Sequence, residues 1–257
     1  MMKSKPLILV FSAHDPTGAA GLQADIEAIN QNSGRSVSVI TAVTAQNTFN
    51  FESILPQSPT AFRKQLETLI SDISIDGCKI GLIGSELLIS EISDFLINYK
   101  NIPVVLDPIL HSGTGSNVSS KEVKTSLLRK LVPKTTILTP NIEEALELTG
   151  QRNADTAAQS LLSMGCKHVL ITDTEKHTKD ITNILYTVNK DPIEYTWKRL
   201  PAKFHGSGCT LAASISINFA LHNNIQTAVH KAQEYTWNTL KYGEQIGSTQ
   251  LHPSRHF

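Results

Sequence analysis

Short apolar runs alternate with longer stretches in which apolar positions recur at helical spacing, and this order repeats along most of the chain. Strand-like runs fall at residues 7–12, 37–45, 79–83, 104–106, 135–139 and 168–172. Between them, helical patterns cover 21–32, 59–73, 85–99, 119–131, 141–149 and 155–164. Compact β-rich runs bounded by turn residues mark the strands, and apolar recurrence at three and four residues marks the helices. Some ends carry their own signals. Ser58-Pro59 offers a cap followed by a proline at the first helical position, and Gly150 stops the helix that begins near Asn141.

Apolar strands alternating with helices predict an α/β fold, a doubly wound and mainly parallel sheet with helices on both faces. Over 181–200 the period changes, and two alternating runs meet at Asn189-Lys190-Asp191-Pro192, which predicts an antiparallel hairpin. A Gly-rich turn with a helix follows, then an amphipathic helix over 225–242. No linker, repeat or low-complexity segment interrupts 1–257, so one domain is expected.

Composition narrows the function classes. The charges balance at 23 basic and 23 acidic residues, and no basic stripe is present, which disfavours a nucleic-acid or membrane partner. The start, Met1-Met2-Lys3-Ser4-Lys5-Pro6, has no signal-peptide pattern. The three cysteines, Cys78, Cys166 and Cys209, have neither metal spacing nor a disulfide framework, so a reducing cytosol is the expected compartment.

Candidate chemistry centres on His205-Gly206-Ser207-Gly208-Cys209-Thr210, which leads into an apolar helix. Glycines beside a helix start aim several N–H groups at one point, an arrangement that binds anions. Cys209 sits where such a site would enhance a thiol's acidity; the alternative is a small buried hydrophobe. The turn is neither a Walker loop nor a dinucleotide fingerprint. In open α/β sheets ligands bind beyond the carboxyl ends of strands. There the loops are polar: Ala13-His14-Asp15-Pro16-Thr17-Gly18, Gln46-Asn47-Thr48, Asp107-Pro108, Thr139-Pro140-Asn141 and Thr172-Asp173-Thr174.

Asp25 borders the core-facing stripe of its helix and needs a partner, either a ligand's amino group or the helix dipole. Gln46 is able to read a heterocycle edge or simply to make a turn. Asp107 ends a very apolar strand and suits the water shell of a Mg²⁺ ion. Asn141 and Glu144 fit a helix N-terminus, and equally a site facing phosphates and Mg²⁺. His14, His111 and His205 leave a cysteine–histidine hydrolase as an alternative.

In order along the chain, five segments resemble the motifs of the hydroxymethylpyrimidine/phosphomethylpyrimidine kinases of thiamin biosynthesis, in the ribokinase-like superfamily. They are Ser12 through Asp25, Thr44-Ala45-Gln46-Asn47-Thr48, Leu106-Asp107-Pro108, Leu138 through Ala145, and Gly206-Ser207-Gly208-Cys209-Thr210. The resemblance implies MgATP-dependent phosphorylation of a pyrimidine alcohol and then of its monophosphate. It implies Asp25 and Gln46 on the pyrimidine, Ala13, Leu82 and Ile109 lining its pocket, and Gly206, Ser207 and Gly208 as an anion hole. Cys209 would be the base; Asp107, Asn141, Glu144 and Thr172 would surround the ATP phosphates and Mg²⁺, with the ion held through Asp107 and Glu144. Small molecules are the implied partners, and dimers are common in the family, which leaves a homodimer open.

Two departures stand out. Many relatives carry Lys-Gly-Gly-His after the strand that here ends in Ile171-Thr172-Asp173-Thr174-Glu175, and the missing lysine leaves Lys176, Lys203 or a larger share for Mg²⁺ to offset the phosphate charge. Ala13 also stands where glycine is usual. The alternatives are a pyridoxal kinase of the same fold, the Cys209 hydrolase, and a nucleotide-binding protein without turnover.

Overall fold

The structure, a computed structural model, describes residues 5–173 and 178–256. Among the described residues nine strands form one sheet in the order β3-β2-β1-β4-β5-β6-β7-β8-β9. β1 (Leu7–His14), β2 (Arg35–Gln46), β4 (Gly77–Ile80), β5 (Val104–Leu106), β6 (Ile137–Leu138) and β7 (His168–Ile171) run parallel. β3 (Phe51–Pro56) adds antiparallel to β2, and β8 (Asp180–Thr187) with β9 (Ile193–Lys198) makes the expected antiparallel hairpin beside β7.

Strand side chains alternate between faces, and here both faces are covered. Leu9 and Phe11 of β1 join the core built by α2 (Pro59–Ile70), α3 (Glu86–Asn98), α4 (Lys121–Ser126), α5 (Ile142–Thr149) and α6 (Ala154–Ser163). Ile8 and Val10 point the other way, into the layer of α1 (Gly21–Gln31), α7 (Ser207–His222) and α8 (Ile225–Lys241). α7 lies between sheet and outer helices, so its residues Cys209 through Asn218 are all buried and no polar face develops. That explains the apolar character of the run following the Gly-rich turn.

Helix ends follow local chemistry. The Ser58 hydroxyl accepts from Ala61 N–H at 3.2 Å, with Pro59 in the first turn, and Gly150 closes α5 in the left-handed region at φ 68°. Two differences from the sequence pattern stand out. β3 is an edge strand with no fully buried residue on either face, so its alternation is too weak to mark it. The helix expected over 119–131 is α-helical only to Ser126, then passes through a π turn at Leu127–Leu131 and a 3-10 turn at Val132–Lys134, where Pro133 ends it.

β1 has β2 on one side and β4 on the other, so the strand order reverses at the β1–β4 boundary. A crevice opens beyond the carboxyl ends at such a reversal. No helix among the described residues is long and apolar enough to cross a membrane.

Candidate active site

The Gly-rich turn builds one wall of that crevice. Gly206 has φ 89°, and a Cβ there would collide with the Ala19 carbonyl oxygen. Only glycine lets the turn pack this closely on the opening loop. No side chain caps the start of α7, so the first-turn N–H groups of Ser207, Gly208 and Cys209 keep their anion-binding capacity. A Cβ at Gly208 would stand 3.9 Å from both Asp107 carboxylate oxygens, which places the turn over the end of β5.

A cavity of about 1060 Å³ extends from this turn. Ala13, Gln46, Leu82, Ile109, Asp107, Asn141, Glu144 and Thr172 line it together with Gly206, Ser207, Gly208 and Cys209. Twelve residues expected from separate loops therefore meet in one space. Asp25 departs from the expectation. It is fully buried in the second turn of α1, does not line the cavity, and has Lys79 as its partner instead of a ligand or the helix start.

Lys79 was not singled out from the sequence, although a lysine inside the apolar run Gly77-Cys78-Lys79-Ile80 is a signal in itself. Its side chain is wholly buried, with Nζ 2.8 Å from Asp25 Oδ1. Burial works against the ammonium, but the pull of Asp25, then of Cys209 and Asp107, more than offsets it and raises the Lys79 pKa.

The same neighbourhood reverses the expected acidity of Cys209. Burial pushes the thiol up to about 12; Lys79 opposes this, while Asp107 and Asp25 add to it. The helix start does not outweigh the loss of water. Burial likewise raises Asp107 to about 6, with Lys79 and the neighbouring Cys209 thiol acting in the opposite direction. Glu144 is pushed up to about 8 by burial and by Asp107, against hydrogen bonds from the backbone of Asn141 and Leu110.

Asn141 and Glu144 form a reciprocal cap. Asn141 Oδ1 accepts from Glu144 N–H at 2.9 Å, and Glu144 Oε2 accepts from Asn141 N–H at 3.0 Å. Glu144 Oε1 also accepts from Leu110 N–H at 3.3 Å, joining α5 to the loop after β5. Both the structural role and the position in the cleft are thus present.

The cysteine–histidine pairing is not formed. His205 Nε2 lies 3.1 Å from Asp15 Oδ2, and His111 faces Glu147 at 3.5 Å, so both rings are turned to carboxylates. Among the replacement cations, Lys203 is exposed and does not line the cleft; Lys176 lies outside the described residues. Arg199, absent from the expectations, instead pairs at 2.7 Å with Asp173, at the cleft edge.

A sheet reversing at β1–β4, with an uncapped Gly-rich helix start at its crevice, is the architecture of a ribokinase-like phosphotransferase. Among solved structures, pyridoxal kinase from Bacillus subtilis in complex with ADP shares the fold at TM-score 0.88 and 22% identity, covering 98% of each chain. The chain belongs to the phosphomethylpyrimidine kinase family, which matches residues 15–254. Hydroxymethylpyrimidine/phosphomethylpyrimidine kinase of Escherichia coli is 30% identical over 97% of this chain and 96% of its own. The crystal structure of phosphomethylpyrimidine kinase from Clostridium difficile is 31% identical with TM-score 0.78, covering 91% of this chain and 98% of that one.

Proposed function

We propose that the chain transfers the γ-phosphoryl group of ATP to 4-amino-5-hydroxymethyl-2-methylpyrimidine, and then phosphorylates the monophosphate to the diphosphate. The observation that carries this reading is that Cys209 and Asp107 share one cavity with the uncapped start of α7 and with Ala13, Gln46, Leu82 and Ile109. Three apolar walls and one carboxamide suit a flat heterocycle with polar edges. The N–H groups of Ser207, Gly208 and Cys209 meet the phosphoryl oxygens, where charge is spread in the transition state.

In the first step the hydroxymethyl oxygen bonds to the γ-phosphorus, the bond from that phosphorus to the β-bridging oxygen breaks, and ADP leaves. The alcohol proton passes to Cys209 Sγ as the thiol proton passes to the Asp107 carboxylate, which lines the same cavity. A relay suits a thiol raised to about 12, because a standing thiolate is scarce at neutral pH. In the second step the attacking phosphate oxygen is already ionised, so alignment and charge neutralisation suffice.

Asp107 Oδ2 is buried without a hydrogen-bond partner, while both Glu144 oxygens accept backbone N–H groups. Such a set fits a hydrated Mg²⁺ held through water by Asp107 and Glu144. Bound with ATP, the ion supplies positive charge against the phosphates. Asn141 and Thr172 border the same space.

Incubation with ATP, Mg²⁺ and the pyrimidine alcohol, with products resolved by mass, tests the reading. ADP with monophosphate followed by diphosphate is expected; no ADP above background overturns it. Pyridoxal included as competitor separates the pyridoxal-kinase alternative, which the phosphorylated pyridoxal product would favour.

A further inference from the structure

The segment after α8 folds back over the rim of the cleft. Leu251 bridges Phe204 in parallel fashion, its carbonyl accepting from His205 N–H at 3.0 Å. Four residues on, the Arg255 side chain is 2% exposed. Nε donates to Thr210 Oγ1 at 2.9 Å, in the first turns of α7. Nη1 donates to the Gly18 carbonyl at 3.2 Å and to Glu27 Oε2 at 3.0 Å, and Nη2 donates to the Ala19 carbonyl. Its own backbone is fixed from α8, where the Tyr235 hydroxyl donates to the Arg255 carbonyl at 3.1 Å.

A guanidinium presents its donors in a rigid planar fork, so it sets the spacing of groups that it joins. Here it joins the opening loop to the Gly-rich turn. Gly206 packs against the Ala19 carbonyl, and a Cβ on it would stand 3.0 Å from Arg255 Nη2. The place of the turn therefore depends on Ala19, and the place of Ala19 depends on Arg255. Arg255 itself is not among the residues lining the cleft.

We infer that Arg255 is a positioning residue for phosphoryl transfer: it ties Gly18 and Ala19 to Thr210 and so fixes where the N–H groups of Ser207 and Gly208 point. This rests on the kinase reading of that turn. Misplacement of a catalytic group by about 1 Å costs on the order of a hundredfold in rate. Lysine keeps the charge but offers a single point, so it cannot hold both carbonyls and the hydroxyl in one plane.

Arg255→Lys is the test, with folding checked by its thermal melt. The expected result is a fall in kcat of about ten- to a hundredfold with the pyrimidine KM within about twofold. Alkylation of Cys209 by iodoacetamide, followed by mass, should also quicken while Cys78 and Cys166 stay unreactive. An unchanged kcat with unchanged Cys209 alkylation overturns the inference, and so does a rise in pyrimidine KM alone. If the unaltered protein forms no ADP, the kinase reading fails by itself. Cys209 alkylation then decides the positioning role: faster in the variant supports it, equal refutes it. Should Arg255→Lys not fold, Glu27→Gln weakens the charged anchor of Nη1 on α1 without altering any residue of the turn. A smaller loss in the same direction supports the inference, and no loss overturns it.

Discussion

Lys79 Nζ lies within hydrogen-bonding distance of both Asp25 carboxylate oxygens, 2.8 Å from Oδ1 and 2.9 Å from Oδ2, and neither side chain reaches solvent. The pair joins β4 to α1 beside the β1–β4 reversal. Removing one partner strands a charge in the interior, which costs about 3–5 kcal/mol, whereas removing both leaves none. Lys79→Met and Asp25→Leu should each lower the unfolding free energy by that amount, and the double variant by clearly less than the sum. Urea unfolding of the four proteins checks it; additive losses would show that the two side chains act independently.

Cys209 should matter unequally to the two phosphorylations. The alcohol must lose a proton and the ionised phosphate need not. Cys209→Ala is expected to slow the first step by about a hundredfold and the second by less than about tenfold, in line with the range for general acid–base catalysis. Separate single-turnover assays with each acceptor give the comparison. Equal losses would remove the thiol from the proton path.

Acid should loosen the opening loop through Asp15. Burial raises this carboxyl, but a hydrogen bond with His205, contacts from Thr17 and the charge of His205 outweigh it and hold the pKa at about 2, below the ordinary 3.8. A depressed carboxylate contributes stability that is complete above the unfolded value and is lost as pH falls through the folded one. The window is therefore about pH 4 down to 2, and the contribution is about 2 kcal/mol. Thermal melts across pH 2–6 should show this slope in the unaltered protein and a flatter one in Asp15→Asn. Curves of the same slope would refute it.

Gln46 should govern recognition without touching the transfer step. Gln46→Leu is expected to raise the pyrimidine KM by about tenfold or more, because a ring edge loses its polar partner, with kcat little changed. Steady-state kinetics at saturating ATP measure it. A fall in kcat with KM constant would place Gln46 in the transition state instead.

Much of the frame was legible because both faces of the sheet are covered. Strands such as Val104-Val105-Leu106 had to be apolar throughout, and β5 occupies those three residues. The edge strand β3 carries no such obligation and left no pattern. The cleft residues were legible where a loop leaves a strand's carboxyl end, as for Gln46 and Asp107. Asp25 was singled out correctly as a carboxylate needing a partner, but its partner lies 54 residues away on a neighbouring strand, and periodicity has no reach over that distance. The Cys209 pKa failed for a related reason: a helix start is visible locally, while the water excluded around it depends on the whole packed layer. Arg255 lay in a segment without regular structure, and only the fold shows its guanidinium among Gly18, Ala19 and Thr210.

The grip of Arg255 on Gly18 spans 237 positions of sequence. A ribosome therefore delivers the two ends of that contact far apart in time, and the sheet from β1 to β7 has all its strands before the fastening residue exists. Long-range contacts form late because their loop-closure entropy must first be overcome. Refolding should accordingly show a sheet-containing intermediate without turnover, with catalytic competence arriving as a separate, later phase.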